Sequence, residues 1–133
     1  MNTKFFMDNR CFACGSENTN GLKMIIKESA EGVESIIKLP LWCQGYKKTV
    51  HGGIISTILD EMAVWAAFKK KGLKCVTAEL NVRIKNGMKS HDEYIAKGKV
   101  TNVKHKLVQA ESEIINKNKE LIAFAKAKLI RID

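Results

Sequence analysis

The chain has 133 residues, 45% hydrophobic and 28% charged, the proportions of one globular domain with a sizeable core. Lys and Arg number 23 against 14 acids, giving +9; spread along the chain, this suits an anionic partner or ordinary surface charge. No segment approaches the ~18 consecutive apolar residues of a membrane span, and Met1 to Asp8 carry no long apolar core or cleavage site, so the expectation is no signal peptide and a cytoplasmic protein.

Residues 1–21 read as an arm containing Cys11-Phe12-Ala13-Cys14-Gly15. Cys-x-x-Cys is half a zinc site, and no second Cys-x-x-Cys or His-x3-His completes it. A redox motif would want a strand before it and a helix after it. Cys11, Cys14, Cys43 and Cys75 are therefore read as free thiols, with no metal expected.

Leu22 to Glu28 and Val33 to Leu39 read as a strand pair across Ser29-Ala30-Glu31-Gly32, and Pro40 stops the second. Leu41 to Thr49 is a loop with Trp42, Gln44 and Gly45. Then comes Gly53 to Phe68, apolar on nearly every face of a helix, which predicts a buried helix carrying Asp60 and Glu61. Acids within such a segment are a recurring mark of functional sites. Lys69-Lys70-Lys71-Gly72 ends the helix. Cys75 to Asn86, Tyr94 to Val103, Leu107 to Asn116 and Leu121 to Ile132 read as four more strands. The order β-β-α-β-β-β-β predicts an α+β domain, a six-stranded, mostly antiparallel sheet curled around one long helix.

The stretch His51-Gly52-Gly53-Ile54-Ile55-Ser56-Thr57-Ile58-Leu59-Asp60-Glu61, with an acid nine residues after the His, resembles the hotdog-fold acyl-CoA thioesterases. Cys11-Phe12-Ala13-Cys14-Gly15 followed by Gly21-Leu22, Gln44-Gly45, and Thr77-Ala78-Glu79-Leu80-Asn81 bring the resemblance closest to the PaaI-like (phenylacetate-pathway) branch. It runs from about Cys11 to the end and implies one hotdog domain over residues 1–133.

The resemblance implies hydrolysis of an acyl-CoA thioester to a carboxylic acid and free CoA, with no cofactor beyond the CoA of the substrate. Asp60 becomes the general base or nucleophile and the Gly53 N–H the oxyanion donor, with Gly52 allowing close approach. His51 is structural or supports binding near the thioester, Gln44 contacts the carbonyl or water, and Thr77 helps hold the attacking water. Glu61 is a lesser catalytic candidate, better suited as partner to a basic or backbone group. Arg83, Lys85, Lys104, His105 and Lys106 are candidates for the CoA phosphates; Met62 and Trp65, with Val64 and Phe68, are candidates for the acyl pocket.

Gly53 and Asp60 lie on nearly the same helical face but about 10 Å apart along the axis. One carbonyl does not reach both, and the resemblance implies a homodimer with active sites at its interface, assembled into a tetramer. The alternative is a non-catalytic acyl-CoA or fatty-acyl binding protein on the same fold. Dehydratase chemistry lacks a His on the helix after His51, and nucleic-acid binding rests on net charge alone.

Overall fold

The computed structural model describes residues 8–132. Residues 1–7 of the expected arm, and the reading of them as free of a leader, lie outside the described residues, as does Asp133. The elements are β1 (Lys27–Glu28), β2 (Val33–Lys38), a 3-10 turn (Leu41–Cys43), α1 (Gly52–Lys71), β3 (Cys75–Ile84), β4 (Glu93–Lys104), β5 (Leu107–Asn116) and β6 (Leu121–Arg131). The strands form one six-stranded sheet in the order β1-β2-β4-β5-β6-β3, every neighbouring pair antiparallel. This is the expected hotdog arrangement of one long helix against one antiparallel sheet.

Both ends of α1 are written locally. His51 is the N-cap, extended at φ −60° and ψ 136°, and its Nδ1 accepts the Gly53 N–H. At the other end Gly72 adopts φ 66°, a conformation that favours glycine, and its N–H bonds the Phe68 carbonyl at 3.0 Å. Lys69, Lys70 and Lys71 fill the last turn, where cations oppose the negative end of the helix dipole. The helix therefore runs one turn beyond the expected Phe68.

The buried residues of α1 are Ile55, Ile58, Leu59, Met62, Ala63, Ala66 and Ala67, a single stripe at helical spacing. Ile54, Asp60, Glu61, Val64 and Trp65 stay half-buried. The expectation of a helix covered on every face is corrected: one sheet covers one side. The stripe seats on β4 and β5. A Cβ on Gly98 would stand 2.4 Å from the Met62 carbonyl oxygen, so the strand must be bare there. Its cross-strand partner Ser112 donates its hydroxyl to the Leu59 carbonyl at 2.7 Å.

The expected strand over Leu22 to Glu28 shortens to its last two residues. Leu22 and Met24 donate their N–H groups to Phe12 and Ala13, each at 2.8 Å. The arm thus takes backbone bonds that periodicity assigned to the sheet, and Ala13 sits in the core at 2% exposure.

Candidate active site

The mouth of α1 is pinned by backbone bonds. His51 N–H reaches the Cys43 carbonyl at 2.8 Å, Val50 N–H the Met88 carbonyl at 2.7 Å, and Gly45 N–H the Thr49 carbonyl at 2.8 Å. A Cβ on Gly45 would lie 3.1 Å from the His51 Cα, so the Gln44-Gly45 turn runs against the cap residue. Together they leave a shallow cleft of ≈ 350 Å³ lined by Trp42, Cys43, Gln44, His51, Gly53, Ile54 and Thr57. Three expected site residues, Gln44, His51 and Gly53, therefore meet there. Within it, the Gln44 side-chain oxygen accepts the Lys48 N–H at 3.1 Å. Trp42 and Thr57 join them there without being expected from the sequence; Trp42, an aromatic in the loop just before the helix, is the residue that signals the position, and it is exposed.

The N–H groups at this mouth are not equivalent. Gly53 donates to His51 Nδ1 at 2.8 Å, while Ile54 and Ile55 bond the His51 carbonyl. The Gly53 N–H, expected as the oxyanion donor, is engaged here by the histidine cap. Gly52 N–H, at the first helical position, has no partner among the described residues. First-turn N–H groups point out of the helix at its positive end.

Asp60 lies two turns further on, half-buried. Thr77 of β3 donates its hydroxyl to Asp60 Oδ1 at 2.5 Å, a charge-assisted bond. A β-bulge follows at once, the β3–β6 register shifting between Thr77 and Glu79; bulges re-aim side chains beside sites of this kind. Asp60 and Thr77 form one unit, and neither lines the cleft at the helix mouth.

Glu61 turns elsewhere. It accepts the Trp65 indole N–H at 2.9 Å and the Cys11 thiol at 3.6 Å. Its expected basic or backbone partner is corrected to an indole and a thiol. Trp65 is further held edge-on to Phe68, centroids 5.8 Å apart, with the Lys69 ammonium 5.6 Å above its ring. Met62, expected in the acyl pocket, has 0% exposure in the core and packs against β4 at Gly98.

The five expected phosphate-binding residues are all exposed and form two groups. Arg83 and Lys85 stand at the end of β3 beside the helix mouth, where a Cβ on Gly52 would lie 3.4 Å from Ile84 Cδ1. Lys104, His105 and Lys106 form the β4–β5 turn, next to the start of β3 through the Arg131–Lys106 bond and the Cys75–Arg131 pairing. A single chain therefore holds them at opposite ends of the sheet.

Residues 47–123 match the model of the thioesterase superfamily. The chain belongs to that superfamily. The matched range holds His51, Gly52 and Gly53, the Asp60–Thr77 pair and both basic groups, and begins after Trp42, Cys43 and Gln44. No sequence among the curated proteins matches the chain. Among solved structures, zebrafish thioesterase superfamily member 2 is 20% identical over 98% of this chain and 97% of its own, with a TM-score of 0.78. The Escherichia coli PaaI protein, from the phenylacetic acid degradation operon, is 19% identical over 84% of this chain and 81% of its own, TM-score 0.76. A hypothetical thioesterase protein of Streptococcus pneumoniae, solved with coenzyme A, is 20% identical over 90% of this chain and 91% of its own, TM-score 0.76. These likenesses are of fold. No helix among the described residues of this superfamily member is long and apolar enough to cross a membrane.

Proposed function

We propose that the protein is a PaaI-like acyl-CoA thioesterase. Water attacks the thioester carbonyl while Asp60 takes its proton. The oxyanion of the tetrahedral intermediate is met by the Gly52 N–H at the helix mouth. Collapse breaks the C–S bond, leaving a carboxylic acid and CoA, whose sulfur receives the proton. The observation that carries this reading is the bond from Thr77 to Asp60 Oδ1. It fixes one carboxylate oxygen and leaves the other for the water. Coenzyme A in the Streptococcus pneumoniae structure supports CoA as the ligand class.

The reading requires two chains. β3 is an edge strand of ten residues, with Val76 45% and Ile84 46% exposed, and long apolar edges invite pairing. Antiparallel pairing of two β3 edges about a two-fold axis sets the start of one β3 beside the end of the other. The partner's Asp60 and Thr77 then approach the Gly52 mouth. The same operation brings the β4–β5 turn of one chain toward Arg83 and Lys85 of the other, gathering cations for the phosphates of CoA. A tetramer is two such dimers, and a cytoplasmic setting is part of the proposal.

The test is thiol release over a panel of acyl-CoAs, with Asp60→Asn beside wild type and circular dichroism on both. Loss of turnover with the fold intact is expected. Undiminished hydrolysis by Asp60→Asn overturns the mechanism. Binding of acyl-CoAs by wild type without hydrolysis of any thioester moves the protein to the non-catalytic binding class.

A further inference from the structure

We propose that Cys11, Cys14 and Glu61 are ligands of a zinc-class divalent cation that fastens the N-terminal arm to α1. The inference is independent of thioester hydrolysis. The ligand atoms of these three residues all lie within 4.8 Å of one another, and among the described residues no other such group of His, Cys, Asp or Glu exists. With Zn–S of about 2.3 Å and Zn–O of about 2.0 Å, a tetrahedral ion holds S and O about 3.5 Å apart. Cys11 Sγ and Glu61 Oε1 are already 3.6 Å apart.

The arm is built as a ligand loop. Gly15 N–H closes on the Cys11 carbonyl at 2.8 Å, and the Cys14 N–H points at Cys11 Sγ at 3.4 Å. An N–H aimed at sulfur favours thiolate. A Cβ on Gly15 would lie 2.5 Å from the Cys11 backbone nitrogen, so the turn that brings the two sulfurs together requires glycine. The carboxylate is oriented from the other side, by the Trp65 indole on Oε1, as metal-bound carboxylates are held by a further hydrogen bond. Two sulfurs and one carboxylate oxygen suit zinc over magnesium or calcium.

A cation among the three groups makes the carboxylate and both thiolates common ligands. Binding forms two metal–sulfur bonds and one metal–oxygen bond, and each thiol gives up its proton to solvent. Water takes the fourth position. The cation then ties residue 11 to residue 61 beside Asp60.

The test uses the full chain, fully reduced, with zinc measured by mass spectrometry and cobalt(II) titrated as a spectroscopic probe. One zinc per chain is expected, together with a thiolate-to-cobalt charge-transfer band. Both should be lost in Cys11→Ser and in Cys14→Ser. Trp65→Phe, which leaves every ligand in place but removes the bond that orients the carboxylate, should weaken cobalt affinity by about 10–100-fold, and Glu61→Gln by more, because it removes a ligand. The Trp65→Phe variant keeps the test informative if a cysteine variant fails to fold. Metal uptake by reduced wild type no greater than by folded Cys14→Ser overturns the proposal, as does cobalt binding without the thiolate band.

Discussion

Replacing Thr77 by valine keeps the β-branched shape that β3 needs and removes the hydroxyl that reaches Asp60 Oδ1. A hydrogen bond to a charged group contributes about 1.5–3 kcal/mol. Asp60 is half-buried, so water takes over part of that bond, and the lower end applies. A loss of about 1.5–2 kcal/mol in the transition state is a fall of about 10–30-fold in kcat/KM. Because Thr77 holds the acid rather than the substrate, the loss falls on kcat with KM little changed. Thr77→Ser should recover most of the rate. The decisive assay is a double-mutant cycle on thiol release. In the Asp60→Asn background, Thr77→Val should cost almost nothing further, because the two residues act as one unit. Equal losses in both backgrounds, or full activity in Thr77→Val, would refute the pairing as the source of activity.

The remaining predictions concern the frame of the site. Gly98→Ala places a methyl group against the Met62 carbonyl and should cost about 1–3 kcal/mol, seen as a lower urea midpoint with an unchanged slope. His51→Ala removes the acceptor for the Gly53 N–H and should cost about 1 kcal/mol in the same titration, with His51→Asn recovering much of it. Val76→Lys, on the exposed edge strand, should shift sedimentation toward the monomer and lower specific activity at dilute protein; an active monomer would refute the shared site. Cys43, 1% exposed and with its thiol pushed up by burial, should resist iodoacetamide until the protein unfolds.

Much of the architecture was legible because periodicity and punctuation agree in this chain. β5 begins and ends where alternation says, and α1 stops at the glycine that follows its lysines. What escaped depends on partners distant in sequence. Residues 22–26 alternate like a strand, yet the Leu22 and Met24 N–H groups go to the carbonyls of Phe12 and Ala13. Asp60 and Thr77 were separately visible as candidates, and their contact required the strand after the helix to fold back over it. The histidine cap on Gly53 was hidden because a cap is read from a side-chain angle, and spacing carries no such angle. The third member of the cysteine cluster was missed for a simpler reason. Ligands sought at short spacing do not include a glutamate fifty residues away.

The strand order has a consequence for how the chain comes to be folded. β3 follows the helix directly, but its neighbour in the sheet is β6, so Cys75 finds its partner only when Arg131 exists. During synthesis the apolar stripe of α1 emerges before β4, β5 and β6, the strands that will cover it. For that interval the nascent chain presents Ile55, Ile58, Leu59 and Met62 with little to bury them. Pairings this far apart in sequence close slowly, and exposed apolar surface invites association. The C-terminal strand thus acts as the closing step of folding, and truncations before Leu121 should leave a chain that chaperones hold and proteases remove.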